Sequence, residues 1–132
     1  MEFTVSTDAR LDVVDVTEEV AAAVPTGHTG TVTVFVEHTT AGVVVNEAES
    51  RLLADLRTFL DDIVPDEGWE HDRLDGNADS HLRALLLGPS VTIPVDDGDL
   101  ALGRWQSVLF VECDGPRERT VRVDYTNNRT AR

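Results

Sequence analysis

Residues 31–46 read TVTVFVEHTTAGVVVN, and how this stretch is read decides the fold. Val32, Val34 and Val36 alternate with Thr31, Thr33 and Phe35. This two-residue period in β-branched and aromatic residues predicts a strand opened by Gly30. A kink or turn near Thr40–Gly42 then lets AGVVV continue as a second strand. The polar string His38-Thr39-Thr40 falls between the two. Successive strand residues face opposite sides, and Asn46 and Glu47 fall at the strand-to-helix junction, where polar groups can converge on a cavity. The plainer alternative makes Asn46 a turn residue and Glu47 a helix cap.

Upstream, Phe3, Val5, Leu11 and Val13 mark an opening strand region. Asp15-Val16-Thr17-Glu18 resembles a capping box, which predicts a short helix over 16–24 ended by Pro25 and Gly27. Downstream, Leu52, Leu53, Leu56, Phe59, Leu60 and Ile63 recur at three- and four-residue steps. They predict a helix over 47–63 with one apolar face, closed by Pro65. Residues 65–76 form a polar loop holding Trp69, His71 and Gly76. Asn77 or Asp79 then caps a second helix through HLRALLLG, ending at Gly88. VTIPV (91–95) is a strand followed by a DDG turn. WQSVLFVE (105–112) and TVRVDY (120–125) read as an antiparallel pair joined by DGPRE. The tail NNRTAR (127–132) is polar and expected to fray. Strands at both ends with helices between predict an α+β fold, a mixed or antiparallel sheet packed with two to three helices, as one domain over 1–132.

A domain of 132 residues buries roughly two thirds of its unfolded surface and needs no staple to fold. Cys113 stands alone, so no internal disulfide forms; in LFVEC it reads as a small buried residue. No run reaches the roughly 20 apolar residues of a membrane span, and MEFTVSTDAR lacks the basic start and apolar core of a secretory signal. A cytoplasmic protein is expected. There are 25 acidic against 11 basic residues, a formal net charge of −14, and every basic residue is Arg. Such a surface repels nucleic acid, and the regular apolar periodicity argues against disorder. The charge reads as halophilic adaptation, since at molar salt the screening length falls to about 3 Å.

The chain has four histidines. His38 opens HTTAGVVVNE, and His71 and His81 bracket HDRLDGNADSH. Imidazoles among carboxylates and amides can bind a divalent metal or move protons. Spacing alone does not bring His71 and His81 together; in the plainer reading Asp79 caps the helix and His81 is a first-turn surface residue. Gln106, after GRW, either points into a site or satisfies backbone groups. Without Lys, a phosphate must be met by Arg, backbone amides or metal, and Arg73, Arg104 and Arg119 are the candidates. No GxxxxGK[ST] or GxGxxG loop is present.

HTTAGVVVNEAES, VPDEGWEHD, NADSHLRALLLGPSVTIPVDDGDLALGRWQ and LFVECDGPRERTVRV occur in this order over roughly residues 3–126. Together they resemble the YjbQ-like family, also called secondary thiamine-phosphate synthases. The resemblance implies a compact α+β fold around a large mixed sheet, a homotrimer, and a polar cleft near a subunit interface. Carried over residue by residue, it assigns Asn46, Glu47, Asp72 and Gln106 to catalysis. Thr39, Asp55 and Asn77 go to substrate and His38, His71 and His81 to a metal; Arg104, the cation nearest Gln106, joins the substrate set on its charge and not by the resemblance. Two departures bear on substrate detail. Arg104 stands where a small polar residue usually precedes WQ, and Trp69-Glu70 replaces the usual Tyr before the His-Asp pair.

The activity implied joins a hydroxymethylpyrimidine diphosphate to a thiazole phosphate with loss of pyrophosphate. The leaving charge calls for Mg²⁺ and cationic donors. Glu47 and Asp72 could hold Mg²⁺, or the three histidines could hold a Zn-type ion with an open position; three imidazoles favour the latter. A chain this poor in cations leaves room for the synthase activity to be secondary. The alternatives are a metal-dependent hydrolase or lyase acting on another small phosphorylated metabolite, and a non-catalytic metal- or metabolite-binding trimer.

Overall fold

The computed structural model describes residues 1–127. The predicted fraying of the tail falls almost wholly on residues outside this range. Alternation in the opening stretch places Val32, Val34 and Val36 of β3 (Gly30–Val36) inward, all essentially buried. Strand β3 is central in an antiparallel sheet with β1 (Glu2–Ser6), β8 (Glu118–Asn127), β5 (Ser90–Asp96) and β6 (Asp99–Leu100), in the order β1-β8-β3-β5-β6. The second half of the stretch, β4 (Ala41–Asn46), leaves that sheet. It joins β7 (Ser107–Glu112) and β2 (Asp12–Asp15) in a three-stranded antiparallel sheet, order β2-β7-β4. The α+β expectation holds, with the sheet resolved into two.

The pattern of β7 explains the division. Val108 and Phe110 face the larger sheet and α1 (Thr17–Ala22), in a core with Val16, Val20, Val32, Val43 and Val123. Leu109 and Val111 face the other way, with Cys113 just beyond the strand, towards Leu60 and Leu56 of α2 (Ser50–Ile63) and Leu87 of α3 (Ala78–Leu87). A strand apolar on both faces must be covered on both faces. The layers are therefore large sheet, small sheet, helices. The expected β7–β8 hairpin is corrected by this arrangement. DGPRE carries the chain from one sheet to the other, and β8 pairs with β1 and β3 while β7 pairs with β2 and β4. Loop 65–76 is also partly structured, with a 3₁₀ turn over Glu70–Arg73.

Two helix starts differ from expectation. Helix α1 opens on Val16 without a capping box: Asp15 accepts from the Thr17 amide at 3.0 Å, and no Glu18 bond returns. Helix α2 begins at Ser50, capped by Glu49, whose carboxylate accepts from the Arg51 and Leu52 amides at 2.8 and 3.2 Å. Those amides, the Arg51 one first, hold the Glu49 carboxyl below its ordinary value. The cap is Glu49 because Asn46 is still in β4. The apolar stripe of α2 is also wider than the core needs. Leu53, Leu56 and Leu60 pack inward, while Leu52, Phe59 and Ile63 remain exposed.

Close approaches fix the helices against the small sheet. At Gly42 a Cβ would lie 2.7 Å from the Gly88 carbonyl and 2.8 Å from Leu87 Cβ, so only glycine lets β4 pass the end of α3. The Val43 amide then donates to the Gly88 carbonyl at 3.1 Å. The β5–β6 turn uses Asp97 and Gly98 at φ 50° and 86°, the left-handed pair a two-residue hairpin needs.

Candidate functional site

Three elements converge at the Ala41 end of the small sheet. The His38-Thr39-Thr40 segment links β3 to β4, His71 lies in the 3₁₀ turn, and His81 lies in the first turns of α3. His71 and His81 meet edge to face, with ring centroids 4.8 Å apart and planes at 85°. His81 lines two adjoining cavities. One, of about 330 Å³, is walled by His38, Thr39, Ala41, Ala84, Leu85 and Pro89. The other, of about 390 Å³, is walled by Trp69, Glu70, His71, Ala78 and Leu82. The histidines of HDRLDGNADSH are therefore together, and His38 lies across the first cavity from them.

Buried ion pairs fix this end from below. Arg83 is completely buried. It donates to Leu60 and Val64 carbonyls at 2.7 and 2.8 Å, near the end of α2, and to Asp66 at 3.0 Å. It also pairs with buried Asp79 at 2.5 Å, and Arg10 binds the same carboxylate. Asp79 is thus a buried anion rather than a helix cap. Asp72 does that work: its carboxylate accepts from the Trp69 amide at 3.3 Å and from the Ala78 amide, opening α3, at 3.2 Å. Asn77 donates to Asp114 at 3.2 Å, and its Oδ1 is buried without a partner, as are His71 Nε2 and Ser80 Oγ. Asp75 is 3.6 Å from His71 Nε2.

Beneath His38 lies a second pair. Arg119 donates to Glu112 at 2.8 Å through Nε and also through Nη2, and to Thr40 Oγ1 at 2.9 Å. Glu112 also accepts from the Thr7 hydroxyl and the Asp114 amide, each at 3.0 Å. Burial pushes the Glu112 carboxyl up, but Arg119, the Asp114 amide and Thr7 outweigh it, and the net shift is downward. Cys113, next to it, is inert. Burial and the Glu112 charge raise its thiol to about 12.

The remaining expected residues lie elsewhere. Asn46 pairs with Ser107 at the far end of β4, while Ala41 pairs with Glu112 at the histidine end. Five strand steps put these ends roughly 17 Å apart. At the far end Asn46 Oδ1 accepts from the Glu47 amide at 2.8 Å, and Gln106 Oε1 accepts from the Gly103 amide at 2.7 Å. Arg104 stacks over the exposed Trp105 ring at 4.8 Å. Asp55 is exposed on α2. Of the candidate anion binders, Arg119 is consumed by Glu112 and Arg73 pairs with Glu70 at 3.3 Å. Arg104 has no carboxylate partner among the described residues. Arg83 and Glu112 are absent from the sequence reading, which takes Asp79 only as a helix cap, although Asp79 and Arg83 stand at a helical i,i+4 spacing and Glu112 is the lone charge in an apolar strand.

A Zn-type centre needs three or four protein ligands. Among the described residues no group of three His, Cys, Asp or Glu side chains is placed to hold an ion. His38 Nε2 already accepts from the Thr120 amide at 3.1 Å. Within one chain, then, the three histidines do not form a common ligand set. His71 and His81 are together, and a metal there would need further ligands. No helix among the described residues is long and apolar enough to cross a membrane.

Fold and site define a small two-sheet α+β protein with a histidine-lined cleft between a strand loop and a helix start. The chain belongs to the UPF0047, YjbQ-like family, whose model matches residues 1–128. A UPF0047 protein of Archaeoglobus fulgidus is 49% identical over 124 residues, 93% of this chain and 98% of its own. YugU of Bacillus subtilis is 37% identical over 122 residues, 88% and 90% of the two chains. A crystal structure of a hypothetical protein from Aeropyrum pernix superposes with a TM-score of 0.93 at 46% identity, covering 97% of this chain and 98% of that one.

Proposed function

We propose that this chain is an enzyme of thiamine-phosphate synthase type, joining a hydroxymethylpyrimidine diphosphate to a thiazole phosphate. The observation carrying this reading is the pair of adjoining cavities that share His81 and are lined by His38 and His71. In the reaction the thiazole nitrogen bonds to the pyrimidine methylene carbon, the carbon–oxygen bond to the diphosphate breaks, and pyrophosphate leaves with the electron pair. Imidazole N–H groups can stabilise that departing charge. The apolar walls Ala41, Ala84, Leu85 and Pro89 offer a surface on which the reactants are held together. A divalent cation enters this scheme with the diphosphate substrate, not as a resident of His38.

The catalytic unit is a homotrimer, as the family resemblance implies. Ile63, Leu85 and Leu86 are exposed beside the cleft on a chain of net charge −14, and such an apolar surface favours association. A closed ring of head-to-tail contacts brings Asn46, Glu47, Arg104 and Gln106 of one copy to the histidine cleft of the next. At high salt the carboxylates of neighbouring copies are screened, so the trimer and the acidic surface belong together.

The test is a synthase assay on purified protein, with its mass in solution and metal content measured alongside. A trimer that forms thiamine phosphate, with His81→Ala and Arg104→Ala each inactive alone but partly active when mixed, supports the reading. Wild-type trimer that makes no product refutes the synthase, and a mixture no better than its parts refutes the shared site. Stable metal binding without turnover would leave the binding-module alternative.

A further inference from the structure

His38 sits where β3 has ended and β8 runs on. The last β3–β8 pair is Val36 with Val121. One residue further along β8, the Thr120 amide donates to His38 Nε2 at 3.1 Å. The imidazole thus takes the bond that a longer β3 would have supplied. A ring nitrogen that accepts carries no proton, so neutral His38 holds its proton on Nδ1. The neighbouring residue of β8 fixes the same loop: Arg119 Nη2 donates to Thr40 Oγ1 at 2.9 Å, and its Nε is tied to Glu112 at 2.8 Å. Arg119 and Glu112 are 5% and 0% exposed. Consecutive residues of one strand therefore hold both ends of the His38-Thr39-Thr40 segment.

We propose that β8 locks His38 as its Nδ1–H tautomer, making it a hydrogen-bond donor to a phosphate or carboxylate oxygen of the bound ligand, and not a metal ligand. Arg119 and Glu112 are its positioning residues. A metal on Nε2 would break the Thr120 bond, and a metal on Nδ1 would have to displace the proton. His38 is half-buried and lines the first cavity, and Nδ1 makes no hydrogen bond among the described residues, so it is available to donate. The wall of Ala41, Ala84, Leu85 and Pro89 lowers the local polarity, where a donor–anion contact is stronger than in water. The ligand half of this inference rests on the proposed reading of the cavity; the tautomer is a property of the chain alone.

The experiment is long-range proton–nitrogen NMR on protein carrying ¹⁵N-histidine, with His38→Gln to assign the signal. At about pH 8.5, where an ordinary imidazole is neutral, His38 is expected to show a protonated Nδ1 and a bare Nε2. The reverse pattern, which a free imidazole favours in water, overturns the proposal. Added Zn²⁺ is expected to leave His38 unmoved, and a shift of His38 into the metal-bound range overturns it. Inorganic phosphate is expected to shift His38 Nδ1 saturably; no shift overturns the donor role. Thr40→Val removes the Arg119 bond to the Thr40 hydroxyl, leaving only the longer one to the Thr40 carbonyl at 3.5 Å, without touching the ring. It is expected to release the tautomer into a mixture, with Thr40→Ser restoring it, and an unchanged Thr40→Val spectrum overturns the positioning role. If wild type makes no thiamine phosphate while His38 behaves as expected, the synthase reading fails and this inference stands.

Discussion

The two ends of β4 are built differently. At the Ala41 end, histidines from separate parts of the chain rest on two buried ion pairs, Arg83–Asp79 and Arg119–Glu112. Arg83 also ties α3 to the carbonyls ending α2, and Arg119 also ties β8 to Thr40 of the histidine loop. At the Asn46 end, Asn46 bonds the next residue, Gln106 bonds Gly103, and Arg104 lies on its neighbour Trp105. These side-chain contacts stay within three residues of their own position. The first end is preorganised within one chain, whereas the second has the local, adjustable bonding of an exposed surface. Substitutions should therefore separate cleanly, with histidine-end changes striking stability and far-end changes striking function alone.

The largest expected effect is that of Arg83→Ala. It leaves the buried Asp79 carboxylate to Arg10 alone and frees the carbonyls ending α2. Breaking a buried pair on one side costs about 3–5 kcal/mol, read as a fall in the denaturation midpoint at unchanged slope. A loss below about 1 kcal/mol, the range of exposed pairs, would erase the contrast between the two ends. Salt sharpens the same point. Wild-type stability should rise between about 0.1 M and 3 M KCl as exposed carboxylates are screened, while the Arg83→Ala penalty stays nearly constant, since buried pairs are screened much less. Equal stability at both salt levels would end the high-salt reading of the surface.

Acid probes the second pair. The Glu112 carboxyl titrates below its ordinary value of 4.5 once folded. A carboxyl depressed by folding contributes stability that is fully present above its unfolded value and is lost as pH falls through the folded one. Stability should thus fall below about pH 4.5, and Glu112→Gln should make that acid-side slope shallower while lowering stability at neutral pH by leaving Arg119 unpaired. Identical slopes in the two proteins would show that Glu112 ionises as freely folded as unfolded.

Much of this was legible because periodicity reports burial. The two-residue alternation of β3, the three- and four-residue steps of α2 and the Gly88 stop of α3 put those elements where they are. The β7–β8 relation was not legible. DGPRE has the composition of a hairpin turn, and only the two-faced apolar pattern of Ser107–Glu112 hints that β7 belongs inside a different sheet. The cleft was half legible. HDRLDGNADSH contains its own turn, so His71 and His81 meet locally, whereas the distance between His38 and Asn46 depends on β4 staying straight between them. Glu47 was misplaced as a possible cap for a related reason: β4 runs on to Asn46, and the helix waits for Glu49.

The smallest stability effect, and the most diagnostic functional one, belongs to the Asn46 end. Arg104→Ala removes an exposed guanidinium whose recorded contact is the Trp105 ring. Such a surface change should move stability by no more than about 0.5 kcal/mol. Gln106→Ala should do the same, since it gives up one bond to Gly103 in an exposed loop. If these residues complete a neighbour's cleft, both variants should lose binding of a phosphorylated ligand by at least about tenfold, the equivalent of 1.4 kcal/mol, at unchanged thermal midpoint. Calorimetry with inorganic pyrophosphate beside a melting curve reads both quantities on one sample. Loss of stability would mean that the far end is as firmly built as the histidine end. Unchanged binding would confine the site to the single-chain cleft of His38, His71 and His81.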